Sequence, residues 1–515
     1  MKRTASHGGA FQVVQKKHKK QIKGFNLDDT VSKPEQLTKR EIIALSNILL
    51  SHKAIPSKLL AGYTYLGQFI DHDFVLSRKT DVIANDETAY SGDNENDTSP
   101  SLDLSCLYFC KAKAQALAKS KTSKGALALS SVKKSDLNYP ISEHLGLEWD
   151  LPRCNGKALI PDSRNEEHIL IAQLHVLFIK LHNYYALQVN KLDSSLSSKA
   201  VFRKAKQATI ASYQSIIVND FLKTIIDPKI YQLYFEESEN EQTNTLSKTI
   251  QTTHFFTNNN DKFSIPKAFS VAAYRFGHAL VRDEYKINKH TKRCLNELFS
   301  LTQQKDQIDY VFKSENIIDW HRFFCHASDK QPAMEYFPTT VIRLPNLPFP
   351  HNNLLARNLL RSRSLDLMSG FEAQNMVLTK LSNIETTIGL SPLLNTLIED
   401  ISRTTITSLN LSINKVASGR DSDKLFDLLK QSEEPTLLHS LQRKPPLWFY
   451  LLAESSRTLD EHGGISFKLS KLHSLIIAET FYHALRHSKA ESPNLPFTDF
   501  KPMRSMLELI TLIQT

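Results

Sequence analysis

The segment Gly67-Gln68-Phe69-Ile70-Asp71-His72-Asp73 lies within Leu59 to Ser77, a stretch whose apolar residues recur at helical spacing. Gln68, Asp71 and His72 are three and four residues apart, so a helix sets an amide, a carboxylate and an imidazole on one face. Such a set suits proton transfer and suits equally a core histidine satisfied by its neighbours. A metal-phosphohydrolase reading of the His-Asp dipeptide would need further His and Asp ligands at suitable spacing, and the chain supplies none that can be placed. Three more pairs repeat the one-turn spacing. Arg164 and Glu167 open an apolar pattern that continues into Gln173-Leu174-His175. Arg275 and His278 flank Gly277, whose missing side chain lets a flat ligand approach or merely eases packing. Asn358 and Arg361 sit three apart in Arg357 to Arg363.

Positioning these groups requires helices. Helical periodicity covers Glu41–Ser51, Leu59–Ser77, Glu166–Val189, Ser198–Ile226, Lys267–Arg282, Asn353–Arg363, Gln374–Ile388, Leu425–Gln431 and Leu472–Arg486. Asp81–Pro100 and Glu236–Asn260 are polar and read as loops, and Pro140 to Pro161 as a connector. Only 15 of 515 residues are glycine, which disfavours hairpin-rich sheets and suits long helices. With 41% hydrophobic and 23% charged residues the chain can bury a large core without disulfides. The expectation is a mainly α protein with one large domain over 51–515, preceded at 1–50 by a basic extension and the first helix.

The net charge of +10 is concentrated in two runs, Lys2 to Lys23 and the acid-free Lys111 to Lys134. Neither interleaves aromatics, so both read as solvated loops and no nucleic-acid partner is expected. Five cysteines without a CxxC pair form no disulfide framework, and the basic first residues lack the apolar core of a secretory signal. No stretch reaches the roughly 18 continuous apolar residues of a membrane span. A soluble, cytoplasmic protein is the expectation.

Taken together, the four pairs offer two imidazoles, a base and a metal ligand, plus guanidinium groups for developing charge and for acidic groups of a cofactor, which is what a heme peroxidase pocket requires. The run Ala61 to Asp73 resembles the distal motif of the animal-type heme peroxidases, in the form of their short bacterial members. Further blocks follow in family order. Ser99 to Tyr108 resembles the calcium loop, Asp150 to Arg153 with Ala158 to Glu167 the distal-arginine block, Tyr274 to His278 the proximal motif, and Leu355 to Arg363 the helix behind it. The resemblance covers roughly Pro56 to Glu491.

It implies a b-type heme held between distal and proximal helices. His72 is then the distal base, Gln68 its neighbour holding water or halide, and Arg164 the distal cation. His278 is the iron ligand, supported by Asn358, with Arg275 and Arg361 near the propionates. Asp71 and Glu167 match carboxylates that form heme esters in mammalian members. Asp73, Ser99, the Ser101 carbonyl, Asp103 and Ser105 match calcium ligands, all of them oxygen donors.

The implied partners are hydrogen peroxide and a small electron donor, organic, halide or pseudohalide. His168 stands where myeloperoxidase has a heme-bonding methionine, which removes one reason to expect strong chloride oxidation. Arg275 occupies the place of the radical-forming tyrosine of dioxygenase members, yet adjacent Tyr274 keeps a fatty-acid dioxygenase as the alternative. Ser99, Ser105 and Phe109 depart from the usual calcium loop. His175 and His182, seven apart, read as core or supporting histidines, and Glu461 to Gly464 as a polar turn.

Overall fold

The residues Ala61–Phe74 form a helix of which all but Tyr63 and Gln68 are buried, so it runs through the core and not along the surface. In this computed structural model the described residues are 36–50, 56–75, 100–108, 123–131, 149–257, 263–303, 312–325, 332–334, 353–389, 391–402, 432, 434–455, 468–491 and 500–514. Ser99, most of both lysine-rich runs and of the Asp81–Pro100 loop, the helix expected at Leu425–Gln431 and the turn Glu461 to Gly464 lie outside them. The fold is mainly α-helical. Strands among the described residues form only two-stranded antiparallel ladders, such as Pro56–Leu60 with Pro332–Met334.

Aromatic packing fixes the central helix. Phe69 stacks on Phe178 of the long helix Ile169–Leu192 at 4.8 Å between ring centroids. Phe74 meets Phe269 and Phe481 at 5.5 Å each, the latter from the helix Lys471–Glu491. Each such buried ring contributes about 1.5–3 kcal/mol. Gly62 is required sterically, since a Cβ there would stand 2.5 Å from the Phe323 carbonyl oxygen and 2.7 Å from the Phe324 ring. The first helix, Lys39–Leu50, belongs to the same core through Ile42, Leu45 and Leu49, and its Glu41 accepts from Thr436 and Ser440.

Four expectations from periodicity need correction. Lys267–Arg282 is not an α-helix: a π turn, Ala268–Ala272, gives way to 3-10 turns over Ala273–Ala279. The backbone breaks at Ala272 (φ −123°, ψ −72°), and neighbouring side chains take carbonyls that an α-helix would use. His473 Nε2 donates to the Ala273 oxygen at 2.8 Å and Trp448 Nε1 to the Arg275 oxygen at 3.1 Å. The expected helix Ser198–Ile226 is α over Ser198–Ile216, π-helical over Ile217–Leu222, and α again over Lys223–Ile225. The polar loop Glu236–Asn260 contains a helix, Glu241–Thr252, because Asn240 caps it and Leu246 and Ile250, four apart, bury one face while the rest meets water. Finally, the long helix begins at Ile169 after a 3-10 turn, Ser163–Glu166.

Candidate active site

The distal side is assembled where the end of Ala61–Phe74 meets the turn Ser163–Glu166. His72 is 3% exposed, and its Nδ1 lies 2.7 Å from Asn165 Oδ1. The amide nitrogen of the same Asn165 faces His175 Nδ1 at 3.0 Å. One proton pattern satisfies both contacts: His72 Nδ1–H donates to Asn165, whose N–H donates to His175, leaving the His72 lone pair on Nε2. Burial, reinforced by the Arg164 charge, pushes His72 down to about 4, so it is a neutral base near pH 7. Asn165 is the site residue that sequence reasoning missed. It lay inside the Arg164–Glu167 block, and its signal was adjacency to the arginine.

Arg164 is also buried, and Asp162 clamps it through Nε and Nη2, the closest contact being 2.7 Å. Its Nη2 and Nη1 donate to the carbonyl oxygens of His72 and Val75, both at 2.9 Å. The guanidinium therefore satisfies the carboxyl end of the distal helix and sets its charge close to His72. His168 caps the long helix, Nδ1 accepting from Ile171 N–H, which makes its Nε2–H the donor to Gln68 Oε1 at 3.0 Å. The buried Gln68 Nε2 has no hydrogen-bond partner among the described residues.

On the proximal side the 3-10 geometry, three residues per turn, brings Arg275 and His278 onto one line. His278 Nδ1 is 3.0 Å from Asn358 Oδ1 on the helix Leu354–Ser364, so it donates there and the lone pair rests on Nε2. Arg361 follows one turn beyond Asn358 on the same helix. Arg275 joins the two sides, its Nη1 lying 3.3 Å from Asp71 Oδ2. Glu167 sits between Arg164 and His168, its carbonyl accepting from Thr302.

These residues fit a heme. A Cβ on Gly277 would find only Thr64 of the distal helix, at 4.0 Å, so protein packing does not demand that glycine. Buried polar atoms without hydrogen-bond partners, Gln68 Nε2, Asp71 Oδ1 and Asn358 Nδ2, belong to the same set. His175 stays a supporting residue behind His72, and His182 has both nitrogens engaged, by Tyr108 and the Gly125 carbonyl.

The calcium donors are brought together in part. The fully buried Asp73 carboxylate accepts from Ser105 Oγ at 2.9 Å and from the backbone N–H groups of Leu104 and Cys106. Leu102 and Leu104 take left-handed conformations, φ 49° and 57°, to wrap the loop around it. Burial, then the neighbouring Asp73, pushes Asp103 up to about 7. A buried carboxylate beside a half-buried one is a set that a divalent cation relieves. The Ser101 carbonyl faces Gln214 Nε2 at 3.5 Å.

Fold and site define a helical protein with two histidines, each oriented by an asparagine, and with the Arg275–Asp71 pair linking their two elements. The chain belongs to the animal haem peroxidase family, whose family model matches residues 82–395. Distal residues Gln68 to Asp73 precede that match. Human thyroid peroxidase is 28% identical over 123 residues, covering 24% of this chain and 12% of that protein. Chorion peroxidase of Drosophila melanogaster is 30% identical over 132 residues, covering 26% and 15%. The chain thus matches under a sixth of the length of these relatives. Among solved structures, peroxidase A of Dictyostelium discoideum shares the fold, with a TM-score of 0.51 at 16% identity over 92% of this chain and 88% of that one.

Proposed function

We propose that this protein is a heme-dependent peroxidase that reduces hydrogen peroxide and oxidises a small organic, halide or pseudohalide donor. The observation that carries this reading is the matched pair of imidazoles, His72 on Asn165 and His278 on Asn358, each with its lone pair on Nε2. Storage of heme would need the proximal one alone. When bound, heme supplies the iron that takes up peroxide and the electrons that split its O–O bond. His278 would hold that iron through Nε2. His72 accepts a peroxide proton on Nε2 and returns it to the departing oxygen, while Arg164 stabilises the developing negative charge. The Gln68 amide, oriented by His168, holds water or halide, and Arg275 and Arg361 neutralise the propionates.

The test is to load the full chain with hemin and record spectra before and after peroxide, then turnover with aromatic, iodide and thiocyanate donors. A His72→Ala protein that binds heme and meets peroxide at the wild-type rate would sink the reading. A second reading, fatty-acid oxygenation, is favoured by the buried Tyr274 hydroxyl, which has no hydrogen-bond partner among the described residues. Oxygen uptake with linoleate, without added peroxide, decides for it.

Two finer features extend the proposal. Asp71, Glu167 or both would form an ester with a heme methyl on peroxide cycling, each ester costing a methyl C–H bond and passing two electrons to hydrogen peroxide, which leaves as water. Acidified acetone should then leave heme on the wild-type chain but strip the Asp71→Ala, Glu167→Ala double variant. Calcium at Asp73, Ser99, Ser101, Asp103 and Ser105 ties the loop to the distal helix, so strong chelators lower both heme retention and thermal stability.

A further inference from the structure

Away from the heme residues, the helix Lys471–Glu491 carries Glu479 and His483 four residues apart, hence on one face. His254, just beyond the helix Glu241–Thr252, completes a cluster whose three ligand atoms lie within 4.8 Å of one another. We propose that His254, Glu479 and His483 bind a divalent d-block cation of the zinc class, a site separate from the heme.

The ligand chemistry fits, since two imidazoles and a carboxylate are a known three-residue zinc set with an open fourth position for water. The geometry fits too. The two imidazole rings lie 4.5 Å apart between centroids with planes 19° apart. Two imidazoles on one tetrahedral ion at about 2.0–2.1 Å stand with ring centroids roughly 5 Å apart, so these rings must open by somewhat under 1 Å. Neighbouring ligand atoms on a tetrahedral ion are about 3.4 Å apart, so closure needs side-chain movement on the order of 1 Å.

The ligands are also held from behind. His254 Nδ1 lies 2.9 Å from Thr257 Oγ1, and that hydroxyl donates to Glu479 Oε1 at 2.7 Å. Because the hydroxyl proton is committed to the carboxylate, His254 Nδ1–H must be the donor to Thr257, which leaves its Nε2 lone pair for a metal. Glu479 is further fixed by the N–H groups of Phe256 and Thr257. Lys380 pins the backbone from the other side, donating to the carbonyl oxygens of His254 and Phe255. The remaining ligand, His483, has a buried Nε2 with no hydrogen-bond partner among the described residues.

A bound ion would join the Phe255–Thr257 turn to the helix that also carries His473, the donor to Ala273 at the head of the proximal segment. It would brace that segment without sharing a ligand with it.

The experiment uses the heme-loaded full chain, stripped of transition metals by a zinc-selective chelator with calcium kept in excess, and titrated with zinc chloride alone. Elemental analysis after gel filtration should find one zinc per chain in addition to heme iron, together with a raised Tm. The double variant His254→Ala, His483→Ala should bind zinc at least ~10-fold more weakly while keeping its heme and peroxide turnover. His278→Ala should retain the zinc, which separates this site from the iron ligand. Glu479→Gln, which preserves an acceptor for the Phe256–Thr257 turn, should also lose affinity. Equal zinc retention by wild type and double variant, or no zinc retained by wild type, would overturn the proposal.

Discussion

The two histidines of the site are held by one chemical device and two different backbones. His72 lies at the end of a regular, buried helix, with Asn165, His175 and Arg164 behind it. His278 is half-buried on 3-10 turns and receives its orienting bond from Asn358 on another helix. The contrast teaches that a base and a metal ligand need different environments. A base must stay neutral and point one way, which burial and a nearby cation provide. The proximal segment instead has an irregular backbone whose carbonyls are secured by Trp448 and His473, and it leaves the His278 ring half-buried.

The sharpest way to break the comparison is exchange of function. His278→Ala should abolish the heme Soret band, whereas His72→Ala should keep it and slow reaction with peroxide by ~10²- to 10⁴-fold. Stopped-flow mixing with peroxide separates the two, and equal heme loss in both would show that the sides are not specialised. The asparagines should divide in the same sense with smaller effects. Asn358→Ala should weaken heme affinity by about 10–100-fold, as loss of a group that orients a metal ligand does, and Asn165→Ala should leave heme uptake intact while lowering the peroxide rate. Heme titration followed by single-turnover kinetics tests each.

The smallest expected effect is on pH dependence. His72, His182 and His473 are held down to about 4 and His175 to about 3, in each case first by burial. Between the unfolded value near 6.5 and these folded values the unfolded chain binds more protons at these four rings, so they contribute a fall in stability as pH drops through that window, which Asp103 and Glu479, each pushed up to about 7 by burial first, oppose in part. Thermal unfolding from pH 7 to 4 should show that slope. Replacing His473 by Gln should flatten the slope, and an unchanged slope in that variant would mean that its ring is solvated. His72 also stays a base through most of the window, so peroxide reactivity should persist to lower pH than an ordinary histidine would allow.

Much of this was legible in the chain because helical spacing is a local property. The distal face of Gln68, Asp71 and His72, the Arg275–His278 pair and the Asn358 helix follow from residues three and four apart, and the scarcity of glycine agreed with a mainly α fold. Local order could not reveal which carbonyls of 268–279 neighbouring helices would claim, so periodicity alone implied an α-helix where π and 3-10 turns stand. Nor could it reveal that Arg164 serves the end of the distal helix, that His168 orients Gln68, or that Asn165 bridges His72 and His175. Those contacts join residues about ninety or more positions apart, apart from Asn165 to His175. The sequence by itself determined which side chains exist and which face of each helix they share. Only the tertiary structure decided which nitrogen of each histidine keeps its proton, because that depends on the acceptor that packing brings within about 3 Å of the ring.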